Sequence, residues 1–184
     1  MYVSAGKGLA LCRMAFGLYF VSYALDKTMG GWLTSAGPIT MFLFGNPNAT
    51  PPSRGAVANA TPFYADFLTN VVQPNAALFG QLVVIGEWVA GILLLLGLLT
   101  RFGSIVGILL NLNYMFAKGL PSNGGSIDRL FLAGEIVFLL AAAGLIWGLD
   151  GALRQQLAVN PVTRWLAGLN GPRAVDEAPV RVPA

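Results

Sequence analysis

Residues 78–100 read LFGQLVVIGEWVAGILLLLGLLT, with Glu87 the one charged side chain in the run. A bilayer core about 30 Å thick is crossed by roughly 20 mostly apolar residues in a helix, so this run predicts a transmembrane helix. Composition carries the same message for the whole chain. Of 184 residues, 55% are hydrophobic and 10% charged, whereas a soluble domain carries roughly 25% charged residues to face water. Most of this surface must meet something other than water. The chain reads as an all-α integral membrane protein.

Outward from that run, residues 8–25, 102–120 and 130–149 are comparably apolar and predict a four-transmembrane-helix bundle within residues 1–150. Asn111, Asn113 and Lys118 dilute the second half of the third stretch. Over the first, a cleavable signal is disfavoured because Arg13 interrupts it and no small-x-small site follows before Asp26. Cys12 reads as a small hydrophobe inside that span.

Residues 26–77 exceed what topology requires and predict an apolar outer cap between spans 1 and 2. Residues 31–45 are apolar but short and broken by Pro38, while Pro47, Pro51 and Pro52 open a loop. Thr61-Pro62 reads as a helix start, with Thr as cap and Pro at the first helical position. Phe63, Tyr64, Phe67, Leu68, Val71 and Val72 then recur at helical spacing. Residues 151–170 predict a basic amphipathic helix on the membrane surface, and 171–184, with three prolines and no periodicity, a flexible tail. Four spans gather Lys7, Arg101, Arg154, Arg164, Arg173 and Arg181 on one side, against Lys27, Arg54, Lys118 and Arg129 on the other. The excess of basic residues puts both termini in the cytoplasm.

Some chemistries are removed at once. The chain has no histidine and a single cysteine, which excludes an imidazole-ligated haem, a His-liganded metal, a Ser-His-Asp triad and a thiolate-bound cluster. No metal site is expected. Redox chemistry would need a bound organic cofactor or a partner subunit. A net charge of +3 marks no nucleic-acid partner.

Three spans each carry an ionisable residue: Arg13, Glu87 and Glu135. Insertion of an Arg or Asp at a helix centre costs roughly 2.5–3.5 kcal/mol, and such residues usually face the bundle interior and pair. Counting from the span ends at 1.5 Å per residue puts Arg13 and Glu87 roughly 6 Å apart in depth. A buried Arg13–Glu87 pair is therefore expected, with Glu135 nearer the outer rim, solvated or bonded to the cap. The pair reads equally as a structural lock on helix register or as a ligand site. Asp26-Lys27 and Asp128-Arg129 read as interfacial anchors. Trp32 and Trp88 share the outer half with them, either as an aromatic belt, the better reading of Trp32, or as walls of a pocket for a flat ligand. Gly103 and Gly107 form a GxxxG and read as packing positions.

Taken together, Leu11-Cys12-Arg13, Asp26-Lys27, and Gly86-Glu87-Trp88-Val89-Ala90-Gly91 running into Gly97-Leu98-Leu99-Thr100-Arg101 resemble the DoxX/DoxD-like membrane proteins, over about residues 9–150. The long segment after Lys27 is more similar to the DoxD branch. The resemblance implies a four-helix protein of the prokaryotic cytoplasmic membrane, the membrane subunit of a thiosulfate:quinone oxidoreductase with a small extracytoplasmic partner subunit. It implies oxidation of thiosulfate to tetrathionate with electrons passed to membrane quinone, and it singles out Arg13, Lys27, Glu87 and Arg101. The residue types are compatible. Glu87 would donate a proton, Arg13 would stabilise developing negative charge, and Lys27 would attract an anion such as thiosulfate. Asp26, Trp88, Arg101 and Glu135 complete the expected quinone-binding set, with quinone as a bound substrate and no haem, metal or iron–sulfur cluster of the chain's own. A second reading stays open, a non-catalytic accessory subunit of a larger respiratory or photosynthetic complex. A small-solute carrier ranks third, since four spans without an inverted repeat offer little for alternating access.

Overall fold

The computed structural model describes residues 4–119 and 126–170. It is 75% helix, with no strand among the described residues. In chain order the helices are α1 (Ala5–Met29), α2 (Gly37–Phe44), α3 (Pro62–Phe67), α4 (Ala76–Leu96), α5 (Thr100–Lys118), α6 (Ser126–Ala141), α7 (Leu149–Ala152), α8 (Arg154–Leu157) and α9 (Pro161–Leu166). Among the described residues two stretches are long and apolar enough to cross a membrane, Ala5–Met29 and the continuous helix Pro62–Leu96. Many large apolar side chains on the long helices point outward, among them Leu18, Leu82, Ile85, Leu109 and Leu140, as a lipid-facing surface requires.

Small residues set the register of the long helices. α1 runs antiparallel along α4, and a Cβ on Gly91 would come 2.8 Å from the Val21 backbone nitrogen, while one on Gly17 would run into the Leu95 backbone. That close approach brings Arg13 level with Gly97 and Lys27 level with Glu87. α4 packs on α5 and α5 on α6. α6 closes on α1 through rings: Phe131 lies 4.3 Å from Phe16 and 4.2 Å from Tyr19, centroid to centroid. Gly91→Ala is expected to cost about 1–3 kcal/mol by overpacking this contact, read as a lowered unfolding midpoint in detergent. Gly8→Ala is the control and should leave the midpoint in place, because nothing lies within 4 Å of a Cβ there.

The segment between α1 and α4 packs against one end of these helices. Ile39 and Leu43 of α2, Leu68, Val72 and Ala76 at the start of the long helix, and Ala117 of α5 form one buried cluster. Pro62 opens α3 at its first turn, as its sequence context suggests, but the Thr61 side chain does not cap it. α3 and α4 are one helix made irregular by Pro74, whose missing N–H and bulky ring cannot fit a regular turn. The chain widens into a π-turn at Leu68–Val72 and tightens to a 3₁₀ turn at Gln73–Asn75.

At the opposite end the structure departs from hydropathy. Residues 130–149 read as one span, yet α6 stops at Ala141. Ala142 and Trp147 both turn into the left-handed region, at φ 49°. The chain then folds back so that the Asp150 amide donates to the Gly97 carbonyl at 2.8 Å. Residues 151–170 hold the end of α7 and the short helices α8 and α9 rather than one amphipathic helix. Asn160 caps α9 by accepting from the Val162 amide at 2.8 Å. The expected tail, 171–184, lies outside the described residues.

Candidate functional site

A cavity of about 360 Å³ opens where α1, α4 and α5 meet the α2–α3 segment. Its wall is mostly aromatic and aliphatic, including Tyr19, Phe20, Trp32, Phe67 and Phe79, and a few polar groups interrupt it. On its wall Glu87 is 2% exposed. Lys27 Nζ donates to Glu87 Oε1 at 2.6 Å, and Tyr114 Oη donates to the same oxygen at 2.6 Å. Glu87 Oε2 is buried without a hydrogen-bond partner among the described residues. The Lys27 ammonium also lies over the rings of Tyr23 (5.2 Å), Trp32 (5.5 Å) and Tyr114 (5.7 Å), a cation–π arrangement that fixes its position.

A second ion pair stands on the same wall. Lys118 Nζ donates to Asp128 at 2.9 and 3.2 Å and lies 5.3 Å from the Tyr114 ring. Asn111 lines the cavity and donates to both oxygens of Glu135 at 2.9 and 3.1 Å, and to the Gly107 carbonyl at 3.1 Å. Tyr64 and Asn113 hydrogen-bond at the rim. Both cavity cations are thus matched by carboxylates, which suits a neutral ligand better than an anion.

The expected Arg13–Glu87 pair does not form. Arg13 lies fourteen residues before Lys27 on the same helix, about 21 Å away. It sits at the other end of the molecule, fully buried, where Nη2 donates to the Trp147 carbonyl at 2.9 Å. Its Nε and Nη1 have no partner among the described residues. Beside it Asp150 accepts from the Leu99 amide (2.6 Å), the Thr100 amide (2.9 Å) and the Thr100 hydroxyl (2.7 Å), capping α5 from a distant part of the chain. Arg101 belongs to that end too. Its Nε donates to the Leu139 carbonyl at 3.0 Å and its guanidinium lies 5.6 Å from the Trp165 ring, which ties α5 to α6 and α9.

Of the other expected site residues, Lys27 and Asp26 line the cavity. Trp88 does not line it: its indole donates to the Thr28 hydroxyl at 3.1 Å. Glu135 is neither solvated nor at the rim but 0% exposed, one layer behind Asn111. Trp32, taken as an interfacial belt residue, is a cavity wall. Tyr114, Tyr23 and Lys118 belong to the site without standing out in the sequence, and Asp128, which reads as a surface anchor, is a cavity residue. A signal was present, because Asn111, Tyr114 and Lys118 recur at i, i+3 and i+7 and so share one face of α5.

Residues 55–170, more than half of the chain, match a known protein family, described as DoxD, TQO small subunit DoxD. Glu87, Tyr114, Lys118 and Asp128 fall inside the match, and Arg13 and Lys27 precede it. No solved structure matches the chain.

Proposed function

The chain belongs to the DoxD family, and from that premise we propose that it is the membrane subunit of a thiosulfate:quinone oxidoreductase, with the cavity walled by Glu87 as its quinone site. One observation carries the reading: a mostly aromatic cavity of about 360 Å³ holds a buried Lys27–Glu87–Tyr114 group with one carboxylate oxygen still open. Volume and lining fall in the range of small-molecule sites, apolar walls with a few convergent polar atoms. α1, the Pro62–Leu96 helix, α5 and α6 would be four spans, with the α2–α3 segment as an outer cap. Lys27 and Lys118 are internally paired, so they weigh less on the cap side, and Lys7, Arg101, Arg154 and Arg164 favour cytoplasmic termini.

The overall reaction balances as two thiosulfate anions losing one electron each and joining through a new S–S bond, while quinone takes two electrons and two protons. Bound quinone supplies the electron acceptor. The chain's own residues hold the ring between aromatic faces, exclude water, and keep protons at Lys27 Nζ and Tyr114 Oη. Glu87 serves these two donors as an acceptor. Because Lys27 and Lys118 are each matched by a carboxylate, the thiosulfate dianion is assigned to the partner subunit rather than to this cavity.

Glu87→Gln tests the site. Gln retains an oxygen for Lys27 and Tyr114, so the subunit should stay assembled while thiosulfate-dependent quinone reduction falls about 10²-fold. Wild-type turnover in that variant would place quinone elsewhere. Purification of the unaltered protein with a large cytochrome or pigment complex, and without quinone of its own, would favour the accessory-subunit reading.

A further inference from the structure

We infer that this cavity binds the reduced, hydroxyl-bearing form of its ring ligand more tightly than the oxidised form, with Glu87 Oε2 as the acceptor that makes the difference. The inference rests on the proposed quinone site and adds which redox state that site prefers.

The argument is an inventory of donors and acceptors. An ionised carboxylate accepts through both oxygens. Here Oε1 takes both available donors, Lys27 and Tyr114, at 2.6 Å each. Oε2 takes none, although Glu87 is only 2% exposed and faces the cavity. The hydrogen bonds that the neighbouring side chains make go to other acceptors. Tyr114 has a single O–H, and Oε1 has it. The ammonium of Lys27 bonds Glu87 and is otherwise enclosed by three rings. Asn111 donates to Glu135 and to Gly107, and Lys118 donates to Asp128. An open buried acceptor is the complement of a ligand that donates.

A quinone presents only carbonyl oxygens, which accept. It would meet Oε2 acceptor to acceptor and leave that oxygen unsatisfied. A quinol presents an O–H of the same ring at the same place. The O–H···O⁻ bond it would form is of the strong, charge-assisted kind. Shape and aromatic contacts are nearly the same for the two forms, so this bond sets their difference. A site that holds the reduced form more tightly raises the reduction potential of the bound couple, by about 30 mV for each tenfold preference of a two-electron couple. The cavity would then pull electrons toward the ring.

The test uses the intact protein in lipid nanodiscs under anaerobic conditions. A decyl-substituted benzoquinone and its quinol are titrated separately by calorimetry. The expected result is a quinol dissociation constant at least tenfold below that of the quinone. In Glu87→Gln the gap should close to within threefold, since an amide Nε2 can donate to a carbonyl. Equal affinities in the unaltered protein, or tighter binding of the quinone, would overturn the preference and leave the quinone site standing. Failure of both forms to bind would overturn the site and the preference together. A tenfold gap that survives in Glu87→Gln would also overturn the inference, because Oε2 would not be its cause. The comparison on the unaltered protein decides even where the variant does not fold.

Discussion

Lys27→Met should lower the stability of the folded protein in detergent by about 3–5 kcal/mol, the usual cost of stripping one partner from a buried ion pair. Lys27 is 16% exposed and Glu87 2%, so water reaches the ammonium more readily than the carboxylate that its loss would strand. After the substitution Glu87 keeps one donor, Tyr114, and has lost its counter-charge inside an apolar wall. Lys27→Met/Glu87→Gln removes the stranded charge and should recover most of the loss. The double-variant cycle therefore shows strong coupling, as expected for groups in direct contact. Unfolding by detergent titration gives all three values. A single-variant cost below about 1 kcal/mol would mean that the pair behaves as an exposed one, and the cavity would then be wet rather than closed. The same titration separates structure from ligand binding, since Tyr23, Trp32 and Tyr114 lose the cation they enclose without losing their own packing.

The helices were legible in the sequence because bilayer-length hydropathy does not depend on partners. The run at 78–100 and α4 overlap almost completely, and α1 and α5 lie where their apolar runs are. The site was less legible, for a geometric reason. Apolar runs give depth only from their own ends, and α1 continues past residue 25 to Met29 while α4 begins at Ala76. Those offsets alone still leave Arg13 and Glu87 within about 8 Å in depth. The partners exchange because the two ends are not level, the helix that carries Glu87 starting as far back as Pro62. The true register comes from backbone contact at Gly17 and Gly91, which hydropathy does not weigh. Tyr114 was invisible for another reason, since an aromatic residue inside an apolar helix reads as core until a carboxylate is placed beside its hydroxyl. The turn after Ala141 escaped because Ala, Leu and Gly are as apolar in a loop as in a helix. What bends the chain there is polar and distant, namely the three donors at Leu99 and Thr100 that Asp150 must reach.

Those three donors make Asp150 the other residue whose loss should be severe. Asp150→Ala is expected to cost about 3–5 kcal/mol, more than the roughly 0.5–2 kcal/mol of an ordinary helix cap. Thr100 is fully buried, so its amide and hydroxyl would be left without an acceptor. Arg13, also fully buried and already short of partners, would lose its neighbouring carboxylate. Asp150→Asn keeps one acceptor oxygen and should cost less. Arg13→Met combined with Asp150→Ala should cost less than the sum of the two, because each single change leaves the other's charge unmatched. Quinone affinity separates this end from the cavity. Arg13 lies about 21 Å along α1 from Lys27, so folded Asp150→Asn protein should bind the ring within twofold of the unaltered protein. A tenfold loss of affinity with unchanged unfolding would instead make the Arg13 end part of the binding site, and the separation of a ligand end from a folding end would fail.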